Sequence, residues 1–97
     1  GPRPAVVVQN DMGNKHAPTV IIAPVTSKNK KSNLPTHVKL TSHILERNSM
    51  VLLEQLKTVD KSRIDSYIGT LSDEEMKMID KALRISLAIG RYKKRSV

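Results

Sequence analysis

The chain has no cysteine, tryptophan or phenylalanine, and Tyr67 and Tyr92 are its only aromatic residues. Without cysteine there is no disulfide framework, thiol nucleophile or thiolate metal site, a usage that fits a reducing compartment and makes the cytoplasm the default. Two tyrosines cannot build the base-stacking platforms of the common single-strand-binding modules. Apolar runs are short. Val20 to Ala23 and Met50 to Leu53 are among the longest, far below the roughly 20 residues of a membrane helix, so no membrane partner is expected. Beyond Gly1, the glycines Gly13, Gly69 and Gly90 stand alone; no phosphate-cradling loop exists and nucleotide-driven mechanisms drop out. His16, His37 and His43 lie in separate segments with no pair at helical ligand spacing. No metal and no cofactor are therefore expected. Any chemistry falls to Arg, Thr, Ser and Gln, with a histidine-pair ribonuclease as a less favoured alternative.

What the chain does have is positive charge. Seventeen Lys and Arg stand against nine Asp and Glu, for a net charge of +8 and a pI near 10.1. Such a balance favours a polyanionic partner, nucleic acid first. The charge is uneven: residues 1–56 carry seven basic and three acidic side chains, residues 57–90 six of each, and residues 91–97 four basic and no acidic ones. At 97 residues the chain is one domain with a thin core. We place that domain at residues 1–90 and a basic tail at residues 91–97.

Periodicity gives a mainly β fold with a C-terminal helix. Ala5 to Gln9 and Thr19 to Val25 are β-branched runs on either side of a turn-forming Asn10 to Asn14 segment, which reads as a hairpin with a longish loop. Their continuous apolar character suggests strands covered on both faces, as in a small closed barrel. Pro24 suggests an edge or bulge at the end of the second run. Lys28 to Asn33 reads as a loop, His37 to Leu40 as a half-buried strand, and Met50 to Leu53 as a central strand. Asp60 to Asp65 reads as a helical turn and Tyr67 to Thr70 as a short strand. The strongest helix runs from Ser72 to about Ile89: Ser72 and Glu75 have capping-box spacing, and Asp73, Glu74 and Glu75 occupy its first turn. Met76, Ile79, Leu83 and Leu87 form its apolar stripe, Lys77, Lys81 and Arg84 face out, and Gly90 supplies the stop.

Four blocks in order carry a more specific signal: Arg3 to Asp11, Pro18 to Thr26, Leu34 to Val38, and Val51 to Asp60. Together they resemble the MazF (PemK-like, EndoA-type) toxins of bacterial toxin-antitoxin systems, Gram-positive members most closely, and the similarity continues to about Ile89. The resemblance implies an SH3-like small barrel of the MazF/CcdB type and a homodimer. It also implies a sequence-specific, metal-independent endoribonuclease (an mRNA interferase) that cuts single-stranded RNA by attack of the 2′-hydroxyl, leaving a 2′,3′-cyclic phosphate. The expected protein partner is a MazE-like antitoxin, and the alternative is a noncatalytic CcdB-like toxin that acts by binding a protein target. The family pattern also has a first strand and a loop before its Arg-Pro, where this sequence has Gly1-Pro2, and the Leu40 to Arg47 segment is shorter than in close relatives.

The family's Arg before the first Val-rich strand and Thr at the end of the next map onto Arg3 and Thr26, the candidate catalytic pair. Taken alone, these two would read as a strand-end cap and an ordinary strand residue. Ser27, Lys28, Lys30 and Lys31 flank the Thr and are candidates for holding RNA phosphates, and Glu54 and Gln55 match the position associated with reading bases. Arg91, Lys93, Lys94 and Arg95 lie past the match as an electrostatic handle. Removing residues 91–97 should flatten the plot of log RNA affinity against log salt by up to about 2.8 units, at about 0.7 per phosphate on a single strand, and leave the cleavage position unchanged. An unchanged slope in that salt series means the tail does not touch RNA.

Overall fold

The computed structural model describes residues 3–27, 34–41, 44–45, 48–92 and 96. Its elements are β1 (Ala5–Val7), α1 (Asp11–His16), β2 (Thr19–Thr26), β3 (His37–Leu40), β4 (Ser49–Leu52), β5 (Lys57–Asp60), a 3-10 turn (Lys61–Arg63) and α2 (Asp73–Ser86). All strand pairs are antiparallel, and β2 joins three of them. On one edge it holds β1, with Ala5 opposite Pro24 and Val7 opposite Ile22. On the other edge its first half holds β5, from Thr19 opposite Asp60 to Ile22 opposite Lys57. Its end holds β4, with Val25 opposite Val51 and Thr26 opposite Met50. The far side of β4 pairs with β3 from His37–Leu52 to Leu40–Ser49.

Pro24 explains where this sheet divides. Val25 N–H donates to Pro4 O at 3.2 Å and Val8 N–H to Ile21 O at 3.0 Å. By the alternation of an antiparallel ladder, Ala5 and Pro24 are then a non-hydrogen-bonded pair, and the Pro24 nitrogen faces the opposite edge. There it would be the next donor toward β4, opposite Leu52, and it has no hydrogen to give. The β2–β4 ladder ends at Val25–Val51, the chain turns over through residues 53–56, and β5 takes the rest of the edge. The edge or bulge expected from Pro24 is thus corrected: β2 is the innermost strand, and its proline sits where the neighbour changes.

Residues facing the fold of this sheet make the core: Ala23, Val25, Val38, Val51 and Leu53, closed by Ile79 and Ala82 of α2. Strand alternation holds for β3 as expected, while Val7 and Ile21 remain exposed, so β1 and the start of β2 are not covered on both faces. The loop after β1 contains α1, because Asn10 Oδ1 accepts Gly13 N–H at 2.9 Å and caps it, with Asp11 and Lys15 at the ends that suit the dipole. Tyr67 to Thr70 forms no strand. β5 was not anticipated; only Thr58-Val59 signals it in a polar stretch.

The capping box of α2 is complete. Ser72 Oγ accepts Glu75 N–H at 3.1 Å while Ser72 N–H and its hydroxyl donate to Glu75 Oε1, each at 3.0 Å. Glu75 does more than cap: it is 1% exposed, and its Oε2 accepts the Thr41 N–H at 3.0 Å. One buried carboxylate therefore ties the helix start to the end of β3. At the other end Ser86 Oγ donates to Leu53 O at 2.8 Å. Along the stripe Ile79 is fully buried and Met76 and Leu83 pack on the core, but Leu87 is largely exposed. The helix ends at Ser86, short of the expected Ile89, because Ala88 at φ 53° already leaves the right-handed region; Gly90 follows at φ 86°. Replacing Glu75 with Ala should lower unfolding free energy by about 2–4 kcal/mol in urea, because it strands the Ser72 and Thr41 donors. Ser72→Ala, which loses only the cap, should cost about 1 kcal/mol. Equal losses in the two variants would mean that the Thr41 link carries nothing.

Candidate active site

The β1–β2 register places the two candidate catalytic residues. Two steps beyond the Ala5–Pro24 pair, past the Pro4–Val25 hydrogen bond, Arg3 falls opposite Thr26. Directly opposed residues project to one face, with Cβ atoms about 5 Å apart. Val25 points into the core, so that face is the outer one; Arg3 is exposed and Thr26 half-buried. Ser27 follows, exposed. Arginine and threonine thus converge at the C-terminal end of β2, offering a forked cation beside a hydroxyl group, a donor set suited to a phosphodiester. Lys28, Lys30 and Lys31 lie outside the described residues.

Glu54 and Gln55 sit elsewhere. They occupy the turn between β4 and β5, where Gln55 N–H donates to Leu52 O at 3.2 Å. Met50 is the cross-strand neighbour of Thr26, and Glu54 lies four residues further on, in the turn beyond the end of β4. The Glu54 carboxylate is held by Thr36 Oγ1, which donates to Oε1 at 3.1 Å, and by His37 Nε2, 2.9 Å from Oε2. Partial burial alone would raise its pKa. Hydrogen bonds from its own backbone N–H, from His37 and from Thr36, together with the charge of His37, outweigh that and hold the carboxyl below its ordinary value.

Among the described residues no three His, Asp or Glu side chains gather as a metal site, and no helix is long and apolar enough to cross a membrane. The family model for a PemK-like, MazF-like toxin of type II toxin-antitoxin systems matches residues 1–87. The chain belongs to this family. It is 47% identical to Endoribonuclease EndoA of Bacillus subtilis (strain 168) over 91 residues, 92% of this chain and 78% of that protein. An endoribonuclease solved in complex with its cognate antitoxin from a mycobacterial species has a TM-score of 0.84 at 24% identity, over 94% of this chain and 85% of that one. A MazE-MazF complex (Form-I) from Deinococcus radiodurans has a TM-score of 0.75 at 25% identity, over 90% of this chain and 83% of that one.

The mainly β fold with its C-terminal helix is that of the MazF toxins. In this MazF-like chain Thr36 and His37 are the residues that sequence reasoning missed. They were visible as part of the third block, but nothing local marks them, because their partner Glu54 is 18 and 17 positions away. A carboxyl with a lowered pKa stabilises the fold fully above its unfolded value, near 4.3, and loses that contribution as pH falls through the lower folded value. Glu54→Gln should therefore be less stable than the parent at pH 7, and the gap should close on acidification toward pH 3. Urea midpoints at the two pH values check this, and a pH-independent gap would contradict it.

Proposed function

We propose that this toxin endoribonuclease cuts single-stranded RNA without a metal ion, at the end of β2, with Arg3 and Thr26 as its catalytic residues. The observation that supports this reading most is their opposition across the β1–β2 ladder, on the solvent face. The name of the 47%-identical relative, an endoribonuclease, favours catalysis over the noncatalytic CcdB-like alternative.

RNA carries its own nucleophile. The 2′-hydroxyl gives up its proton to solvent water as its oxygen bonds to the adjacent phosphorus, the P–O5′ bond breaks, the departing 5′-oxygen takes a proton from solvent, and a 2′,3′-cyclic phosphate remains; the protein must orient the phosphate and stabilise the charge that builds on it. The Arg3 guanidinium can bind two phosphate oxygens at once, and the Thr26 hydroxyl can donate to a third position. Arginine stays charged at any relevant pH, so Arg3 acts as an electrostatic clamp rather than as a proton acceptor. Ser27 and the lysines at 28, 30 and 31 extend phosphate binding along the strand, and Glu54 with Gln55 contacts a base further along.

The same surface accounts for the protein partner. A net charge of +8 suits an acidic, partly disordered antitoxin segment that orders along the RNA-binding face and competes with the substrate. Solved relatives include complexes with cognate antitoxins and of MazE with MazF. We further assign a homodimer and a cytoplasmic location.

Incubation with a long RNA in EDTA tests the reading: fragments from a restricted set of sequences, ending in cyclic phosphate, are the expected product. Arg3→Ala and Thr26→Ala should each lower cleavage about 10²–10³-fold, as loss of one donor to a developing charge does, without changing the urea midpoint. Arg3→Lys should also be poor, since a point charge does not reproduce the fork. Cleavage within about tenfold of the parent in both alanine variants sinks the assignment.

A further inference from the structure

Glu54 is supported from beneath by two groups that are themselves buried. The His37 side chain is 4% exposed and that of Glu54 29%. Thr36 is 9% exposed. A turn closed by His37 N–H on Leu34 O at 3.0 Å presents Thr36, whose carbonyl accepts Leu53 N–H at 2.9 Å. That backbone pair sets the Thr36 hydroxyl beside the residue after Leu53, which is Glu54. An ionised carboxylate only accepts, so His37 Nε2 carries the proton between them. The other ring nitrogen, Nδ1, is buried with no hydrogen-bond partner among the described residues. Burying an unpaired polar atom is unfavourable. The pair is open to solvent on its Glu54 side, where screening lowers what it returns. The ring's one polar contact within the described chain is thus Glu54, and stability alone is a poor reason to keep it.

We propose that Thr36 and His37 are positioning residues, which lock the Glu54 carboxylate so that its remaining lone pairs, beside Gln55, accept N–H from a base of the RNA. This rests on the assignment of Glu54 as an RNA contact made above. A carboxylate has about four lone-pair positions. Thr36 takes one on Oε1 and His37 one on Oε2. The Glu54 side chain is 29% exposed, and the positions left over suit a base edge that presents N–H donors. A carboxylate freed from the two supports would still be present and charged, but would sample several rotamers and discriminate poorly.

The test uses the full chain and an RNA pool randomised around the cleavage site, with fragment ends sequenced and urea stability measured on the same proteins. Glu54→Ala should relax one nucleotide position. Thr36→Val, which loses only the hydroxyl, and His37→Leu should each relax that same position about tenfold and leave the others strict. His37→Gln, which keeps an N–H near the site of Nε2, should restore most of the selectivity. Thr36→Val combined with Glu54→Ala should be no more relaxed than Glu54→Ala alone, since residues acting through one contact are not additive. A position relaxed by Glu54→Ala but left strict by Thr36→Val and His37→Leu overturns the positioning role while base reading stands. Strict selectivity in Glu54→Ala itself shows instead that the underlying contact is wrong. Should either variant prove unfolded, Thr36→Ala and His37→Asn, whose amide is too short to reach Glu54, take its place under the same criteria.

Discussion

The fold depends on how many neighbours β2 must satisfy. Eight residues serve β1 along one edge and share the other between β5 and β4. A strand with two partners on one side cannot remain in a flat sheet, because the partners diverge where the change occurs. The sheet therefore closes around Ala23 and Val25, and the other core residues gather there. In a chain this short, with few aromatic side chains to fill volume, curvature encloses a core that packing alone would leave thin. The geometry of the site follows from the same strand, because Thr26 ends it and Arg3 enters opposite that end.

The helix adds the second constraint. α2 would be a marginal helix in isolation at 14 residues, and its position is set by contacts at both ends as well as along its apolar stripe. The buried Glu75 carboxylate serves both the local cap and the Thr41 backbone, so one group caps the helix and holds its start against the end of β3. Ser86 closes the other end onto Leu53, the residue preceding Glu54. The turn that displays Glu54 and Gln55 is thus backed by the helix, while Arg3 and Thr26 meet where β1 pairs with the end of β2.

Much of this was legible in the sequence. The alternation of His37 to Leu40, the apolar run at Met50 and the Ser72–Glu75 spacing each report on a few neighbouring residues, and the elements they mark are present. Features decided by distant partners were not legible. β5 is a strand because β2 offers it an edge, and Lys57 to Asp60 carry only two β-branched residues to say so. Asn10 to Asn14 looks like a turn until the Asn10 cap is seen to start a helix. The helix end was misplaced because Gly90 is the obvious left-handed residue, whereas Ala88 adopts that conformation first. At the site, Arg3 and Thr26 came from family resemblance; their opposition is a fact of register, which composition does not encode. Thr36 and His37 carry no local mark, because a threonine and a histidine after a proline are ordinary until Glu54 arrives from the turn between β4 and β5.

Pro24 has a consequence for how reproducibly this chain folds. Because it lacks a donor, the two edges of β2 are not interchangeable: the donors at Ile21, Ala23 and Val25 must face β1, and the gap must face the place where β5 gives way to β4. A strand rolled by half a turn about its own axis would set the gap against β1 and forfeit a ladder bond in the middle of the hairpin. β-branched runs such as Ala5 to Val8 and Thr19 to Val25 pair readily in several registers, and a single imino acid removes half of them. The proline thereby acts as a polarity key, ensuring that molecules which complete the hairpin present Thr26 on the same side of the sheet.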